Sequence, residues 1–187
     1  WRTFLTNHLA AIVSMDFFTV STLTGRALFV LVFLSHERRR VVHFHATEHP
    51  TASWTAQQVV NAFPDETAPR WLLRDRDRIY GEVFRRRVAG MGITEVISSP
   101  MSPWQSPYVE RLIGSIRREC LDHVIVINRT QLRHVLCAYF TYYHRSRTHL
   151  GLGKDTPEAR PICLPFGRII TTPEVGGLHH RYERRAA

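Results

Sequence analysis

Three acidic residues occupy positions at which a carboxylate needs a compensating partner. Asp16 interrupts an apolar segment at 11–20 that is typical of a buried strand. Asp75 follows the short segment WLLR, at the strand end where α/β sheets commonly hold functional groups, and Glu110 lies near the start of a helix. A buried ionised carboxylate is costly unless it is paired or binds a cation. Each also has an ordinary explanation: a salt bridge or a misplaced strand end for Asp16, a charged turn for Asp75, and the border of a core-facing helix for Glu110.

Taken together, the three carboxylates indicate metal chemistry on a polyanion. Converging oxygen ligands select Mg²⁺ or Mn²⁺, and a pair of such ions serves the cleavage and transfer of phosphodiesters. The 187 residues include 25 Lys+Arg against 16 Asp+Glu, a net charge of +9, which predicts a nucleic-acid partner. All the basic residues except Lys154 are arginine, which suits phosphate, although a GC-rich genome would produce the same bias.

Composition excludes several other classes of protein. A chain of this length with 44% hydrophobic residues can form one domain with a proper core, so full disorder is excluded. The cysteines, Cys120, Cys137 and Cys163, lack metal-binding or disulfide-framework spacing and fit a reducing compartment. The longest apolar run, 27–34, is too short to span a bilayer, so we expect no membrane association. The start at Trp1 shows neither an initiator Met nor a signal peptide, and we interpret the sequence as part of a longer chain.

The pattern of apolar residues predicts the elements that carry these carboxylates. Three strands with turn signals between them suggest an antiparallel meander, and the later segments alternate between helices and strands. The predicted strands are 11–20, 27–35, 41–47, 71–74 and 93–97, and the predicted helices are 51–63, 81–89, 106–123 and 130–144. This order indicates an α/β fold, a mixed sheet with helices on its faces. We expect a core over 1–160 and an irregular basic tail over 161–187.

The helix that contains Glu110 has the most informative pattern. Ser106 and Pro107 are typical of a helix start, and Thr130 is a possible cap for the helix that follows. Val109, Leu112, Ile113, Ile116 and Cys120 form one apolar stripe, so Cys120 is interpreted as a packed thiol rather than a nucleophile. Glu110 lies at the border of that stripe, Arg117 falls almost directly below it, and Gly114 leaves the surface between them open.

At these residues the sequence resembles the integrase core domain of bacterial insertion-sequence transposases, a group related to retroviral integrases. IVSMDFF at 12–18 is similar to the strand that carries the family's first aspartate. RDRDRIY at 74–80 resembles the second-aspartate segment, and PWQSPYVERLIGSIRRE at 103–119 resembles the glutamate helix. YYHRSRTHL at 142–150 resembles the segment that closes such domains, so the similarity extends over about 8–160.

The resemblance implies a ribonuclease H-like fold with a mixed five-stranded sheet, and DNA transposition by metal-dependent transfer. Asp16, Asp75 and Glu110 would form the catalytic triad and hold Mg²⁺ or Mn²⁺. Arg117 would contact DNA phosphate, with Arg118 and Arg111 assisting. Trp104 and Tyr108 could stack on unpaired bases or fix the loop to the core. The implied partners are the transposon ends, the target DNA and further copies of the chain, in the bacterial cytoplasm and associated with the nucleoid.

The sequence departs from the family at two positions in the site. Many relatives have glycine two places after the second aspartate, where this chain has Asp77, so Asp77 is an alternative ligand to Asp75. The 34 residues between Asp75 and Glu110 are one fewer than in many relatives. The family's upstream helix-turn-helix either precedes Trp1 or has been lost. Two alternatives therefore stay open: a DNA-binding remnant without catalysis, and another ribonuclease H-like nuclease that cuts without joining.

Overall fold

A computed structural model describes residues 2–64, 67–100, 102–160 and 166–185. The strands are β1 (Ile12–Ser21), β2 (Ala27–Ser35), β3 (Val41–Thr47), β4 (Trp71–Arg74), β5 (Thr94–Ile97), β6 (Arg168–Glu174) and β7 (His179–Arg185). The helices are α1 (Arg2–His8), α2 (Ala52–Ala62), α3 (Glu82–Gly90), α4 (Pro107–Glu119) and α5 (Arg129–Arg145). No helix among these residues has the length and apolar character needed to cross a membrane.

The five predicted core strands form one mixed sheet in the order β3-β2-β1-β4-β5. β1, β2 and β3 pair antiparallel, which confirms the predicted meander, and β4 and β5 add in parallel on the other side of β1. β1 is thus the central strand. β2 is apolar on both faces because the sheet is covered on both faces, as the near-absence of alternation in its sequence indicates.

Each face of the sheet has its own hydrophobic core. On one face, Phe18 and Val20 of β1 pack with Val109, Leu112 and Ile116 of α4 and with the aromatic residues of α5. On the other face, residues that include Val13 and Met15 of β1 pack against α2 and α3. Side chains along β1 alternate between the two cores, so even-numbered residues of this strand face α4.

The structure differs from the sequence prediction at the ends of the chain and at two helix caps. The prediction of an irregular tail is wrong for residues 168–185, where β6 and β7 form an antiparallel hairpin. This hairpin is largely exposed and lacks the apolar alternation that marks a strand in a sequence. The prediction also missed α1, because this helix is short.

At the start of α5, Thr130 is not the cap, since Asn128 accepts the hydrogen bond from the Gln131 amide. Ser106 occupies the cap position of α4 but makes no capping hydrogen bond with its side chain.

Candidate active site

The parallel pairing of β1 and β4 brings the two aspartates to the same level of the sheet. Ile12 pairs with Trp71 and Ser14 with Leu73, and the same register continued by two residues sets Asp75 beside Asp16. Both residues lie at even steps from these pairs, so they share the face of the sheet that α4 covers. β1 continues past Asp16 to Ser21, whereas β4 ends at Arg74, which leaves Asp75 at the start of a loop.

α4 places Glu110 over this edge of the sheet. Its predicted apolar stripe packs against the β1 face, with Val109, Leu112, Ile116 and Cys120 buried and Ile113 partly buried. Glu110 is exposed beside that stripe in the first turn of the helix. Asp16, Asp75 and Glu110 together line one cleft of about 340 Å³, which four serines of the 98–106 loop also border.

A second cleft of about 580 Å³ adjoins the first, because Asp16 and Glu110 border both. Its other charged residues are Asp77, which enters from the β4–α3 loop, and Arg117, which lies about two turns of α4 beyond Glu110. Asp75 and Asp77 therefore lie on different sides of the Asp16–Glu110 pair. Both aspartates shape their loop: the Asp77 amide donates to Oδ1 of Asp75 at 3.3 Å and the Ile79 amide donates to Oδ1 of Asp77 at 3.0 Å.

Burial and like charge make the first aspartate reluctant to ionise. The pKa of Asp16 is raised to about 7, mainly by burial and further by the negative charges of Asp75, Glu110 and Asp77. A hydrogen bond from the Phe17 amide at 2.7 Å opposes this rise. Burial also raises the pKa of Asp75. Within the described ranges, none of these four carboxylates forms an ion pair with an arginine or lysine, although the nearby charge of Arg74 acts to lower the pKa of Asp75.

The donor set and its electrostatics fit a hard divalent cation. These carboxylates have no ion-pair partner, and the pKa of Asp16 is raised by burial and by its acidic neighbours. Carboxylate oxygens are the ligands that Mg²⁺ and Mn²⁺ prefer. The four carboxylate side chains are, however, too far apart in this structure to share one ion. In the part of the chain that the structure describes, no three His, Cys, Asp or Glu side chains are close enough to hold one ion together. Binding would have to draw them inward.

The arginines of α4 differ in their surroundings. Arg117 is exposed, and its guanidinium lies 5.7 Å from the Phe18 ring and donates to the Thr19 carbonyl at 3.2 Å. Arg118 folds back over Gly114, where an added Cβ would come within 3.0 Å of its Nη1. Arg111 is exposed on another side of the helix, away from both clefts.

The two aromatic residues at the start of α4 also differ. Trp104 is 67% exposed and is available to a ligand. Tyr108 is packed instead: the Arg39 guanidinium lies 3.2 Å above its ring centre, and the His36 ring meets it edge-on at 4.8 Å. Of the two roles considered from the sequence, the packing role suits Tyr108 and the stacking role suits Trp104.

Sequence reasoning missed a buried ion pair beside the second aspartate. Arg74 is 2% exposed and pairs with Glu95 of β5, while its Nη1 donates to the Asp75 carbonyl at 2.8 Å. Arg74 thus fixes the backbone of Asp75 from the opposite side of the sheet. The signal in the sequence was an arginine that ends an apolar strand, but its partner lies on another strand and only the topology brings the two together.

Part of the chain is similar in sequence to integrase core domains. Residues 91–157 match the family model of the integrase core domain. The 39.2 kDa protein of insertion element IS476 from Xanthomonas euvesicatoria is 30% identical over 66 residues, which are 35% of this chain and 19% of that protein. The resemblance to integrase core domains is confirmed. The matched segment contains α4 with Glu110, whereas Asp16 and Asp75 precede it.

Solved structures extend the similarity of fold to most of the chain. A chain of the simian T-cell lymphotropic virus intasome, solved with PP2A regulatory subunit B56 gamma, superposes with a TM-score of 0.66 at 15% identity, over 94% of this chain and 67% of that one. The catalytic domain of Mos1 mariner transposase gives 0.63 at 16% identity over 75% and 76%. The HTLV-2 integrase catalytic core, solved with magnesium, gives 0.62 at 12% identity over 79% and 93%. The integrase-like domain thus has the ribonuclease H-like fold.

Proposed function

We propose that this integrase-like domain catalyses DNA transposition by metal-dependent polynucleotidyl transfer. The observation that carries the proposal is that Asp16, Asp75 and Glu110, from two strands and a helix, border one cleft in a ribonuclease H-like fold. Asp16 and Asp75 would hold the shared ions and Glu110 would complete the set. Divalent ions bound there supply an activated attacking oxygen and neutralise charge on the phosphodiester. The magnesium and manganese complexes among the similar structures support this choice of ion for the present chain.

The remaining residues of the site position DNA. In the proposed reaction, water cleaves the phosphodiester at the end of the element, and the freed 3′-hydroxyl then attacks a target phosphodiester, with the displaced oxygen leaving in line. Arg117 borders the same cleft as Asp16 and Glu110 and can donate to phosphate oxygens there. Arg118 and the exposed Trp104 would assist in binding the strand, and the net charge of +9 attracts DNA from a distance.

Assembly on DNA follows from the same proposal. Similar proteins were solved as a viral intasome and as a dimeric catalytic core. We infer that this domain also acts as a homo-oligomer that holds two transposon ends, because joining two ends to one target requires two sites.

Nicking of supercoiled plasmid in Mn²⁺ tests the proposal without knowledge of the transposon ends. We expect Asp16→Asn, Asp75→Asn and Glu110→Gln to abolish nicking and to weaken Mn²⁺ binding measured by electron paramagnetic resonance. Asp122→Asn is the matched control, since Asp122 is exposed and lies outside both clefts. Asp77→Asn should retain nicking if Asp75 is the second ligand.

Three results would decide against the assignment. Full nicking in a triad variant removes that residue from the site. DNA binding without nicking, in a wild-type chain that binds Mn²⁺, identifies a remnant. Nicking without joining of a pre-cleaved transposon end identifies a nuclease.

A further inference from the structure

A third pocket, of about 200 Å³, lies on the other flank of α4. It is lined by Tyr108, Arg111 and Ser115 of α4, by Arg39 from the β2–β3 turn, and by 147–151 after α5. At 100° per residue, its α4 residues point away from the side of the helix that bears Glu110 and Arg117. The pocket shares no lining residue with either cleft of the triad. It is therefore a separate site carried by the same helix.

Arg39 is held in this pocket in a way that packing alone does not explain. Its backbone has a φ of 60°, a left-handed conformation that is strained for a residue with a side chain. Its guanidinium lies flat on Tyr108, and Nη1 is buried without a hydrogen-bond partner among the residues described. Gly151 lies directly beside the guanidinium, since a Cβ there would be in van der Waals contact with Nη2 at 3.7 Å. A buried N–H donor without an acceptor is costly, so the arrangement calls for an acceptor from outside.

The charges of the pocket specify an anionic acceptor. No aspartate or glutamate lines it. Arg147 is already neutralised, since its guanidinium donates to both carboxylate oxygens of Glu119 at 2.6 and 2.7 Å. Arg39 and Arg111 have no such acidic partner within the described ranges. The pocket therefore carries the positive charge of two guanidinium groups.

His149 lines the pocket as a neutral ring. Its Nδ1 lies 3.4 Å from Nη1 of Arg147, and the ring also hydrogen-bonds the Tyr143 backbone. The pKa of His149 is lowered to about 4 by burial and by the charge of Arg147, so the ring stays neutral at pH 7. The positive charge of the pocket therefore comes from Arg39 and Arg111.

We propose that this pocket binds a backbone phosphate of the DNA strand, beside the phosphate that the triad engages. The inference rests on the proposed function, because it assigns a second contact to the same substrate. Arg39 would donate to the phosphate oxygens, with Arg111 exposed at the rim. A strand that crosses the first turns of α4 can reach Glu110 on one flank and Arg39 on the other. Planar guanidinium donors without acidic neighbours suit a phosphodiester.

The test measures duplex DNA affinity by fluorescence anisotropy over a series of salt concentrations, in EDTA, so that the triad metals play no part. Arg39→Gln should reduce the slope of log affinity against log salt by about one, and should weaken binding roughly five- to tenfold near 0.1 M salt. Arg85→Gln is the matched control, since Arg85 is exposed on α3, on the opposite face of the sheet. It should leave the slope nearer the wild-type value than Arg39→Gln does.

Two further variants separate the contact from folding. Arg39→Lys keeps the charge but not the planar fork, so we expect the slope to be retained and the affinity to fall. Gly151→Val crowds the guanidinium without a change of charge and should also weaken binding. Circular dichroism and the urea midpoint establish that each variant is folded.

The outcomes distinguish this inference from the proposed function. If Arg39→Gln and Arg85→Gln give equal slopes while the wild-type chain nicks DNA, the pocket assignment fails and the triad stands. A loss of slope specific to Arg39→Gln in a chain that never nicks supports the pocket and refutes the catalytic proposal. Protection of the wild-type chain against thermal unfolding by inorganic phosphate, absent in Arg39→Gln and with no change in its DNA slope, would identify a free-phosphate site and overturn the DNA assignment.

Discussion

Asp16 combines two properties that the proposed chemistry needs. It lies within a strand that is otherwise apolar, and its pKa is raised to about 7 by burial and by the acidic residues around it. A cation among these carboxylates would offset the repulsion between them and would supply a counter-charge for the buried Asp16. The residue is therefore unstable as an anion in the free protein and stable as a ligand.

This property predicts a pH dependence of metal affinity. Since Asp16 must lose its proton to bind a cation, Mn²⁺ affinity should rise by up to about tenfold per pH unit below pH 7 and level off above it. Titration followed by electron paramagnetic resonance between pH 5.5 and 8.5 measures this. In Asp16→Asn the weaker residual affinity should lose most of the dependence, and an unchanged profile in that variant would contradict the role of Asp16.

The buried pair of Arg74 and Glu95 predicts an asymmetric response to substitution. Glu95→Gln leaves a guanidinium that is 2% exposed without its counter-charge, and should lower the free energy of unfolding by about 3 kcal/mol. The double variant Arg74→Met with Glu95→Leu removes both charges and should regain much of that loss. Urea unfolding of the single and double variants tests this. Equal losses in both would mean that the charges themselves are not the cause.

At the scale of residues, the three carboxylates could be singled out from the sequence, but the ion pairs that hold the surrounding structure could not. Asp16 could be recognised because a charge within an apolar strand violates a local pattern. Arg74 with Glu95, and Arg147 with Glu119, obey no local pattern, because each pair joins elements far apart in the chain. The basic pocket around Arg39 was likewise invisible, since the triplet at 38–40 resembles any solvated turn.

At the scale of elements, α4 contains one position, Gly114, at which a substitution should stabilise the fold. Gly114 has no side chain to strengthen its helix, and the only close neighbour of an added Cβ is the flexible end of Arg118. Gly114→Ala should therefore raise the free energy of unfolding by roughly 0.5–1 kcal/mol, measured by urea unfolding. Destabilisation would mean that the Arg118 guanidinium is firmly held over the glycine.

The hairpin of β6 and β7 is attached to α5 through few contacts. His179 stacks on Tyr142 at 4.1 Å and its ring nitrogen hydrogen-bonds the Glu119 carbonyl at 2.8 Å, and Ser146 donates to Glu174 at 2.9 Å. His179→Ala should release the hairpin, so that amides of 168–185 exchange faster while those of the core sheet do not. His180→Ala, on the neighbouring position of the strand, is the control. Equal exchange in both variants would show that the hairpin is held by other contacts.

The elements themselves were predictable wherever burial imposes a period. The strands of the core sheet and helices α2 to α5 all have an apolar face that must be covered. The hairpin could not be predicted because most of its side chains are exposed, so no hydrophobic alternation marks it. The order of the strands in the sheet also could not be predicted from the pattern of any single segment, because it depends on pairing between distant segments.

At the scale of the whole molecule, burial of neutral histidines predicts acid lability. The pKa of His36 is lowered to about 3, and the pKa values of His144 and His149 to about 4, in each case mainly by burial. Between pH 6.5 and 4 the unfolded chain binds more protons at these sites than the folded one, so stability falls with falling pH. Asp16 and Asp75, whose pKa values burial raises, act in the opposite direction over this range, as two groups against these three histidines and His45, whose pKa burial also lowers. Urea unfolding should give a lower free energy at pH 5 than at pH 7, and the reverse order would contradict the burial of these rings.

The pairing of β1 with β4 also determines when the proposed site can assemble during synthesis of the chain. The meander of β1, β2 and β3 is built from neighbouring segments, but Asp75 reaches Asp16 only after the intervening strands and α2 have been made. Glu110 is fixed only when α4 has α5 and the meander to pack against. A nascent or prematurely terminated chain that ends before α4 therefore lacks Glu110, and one that ends before β4 lacks Asp75 as well. The cleft that the three carboxylates border is complete only when the segments from β1 to α5 have all been made.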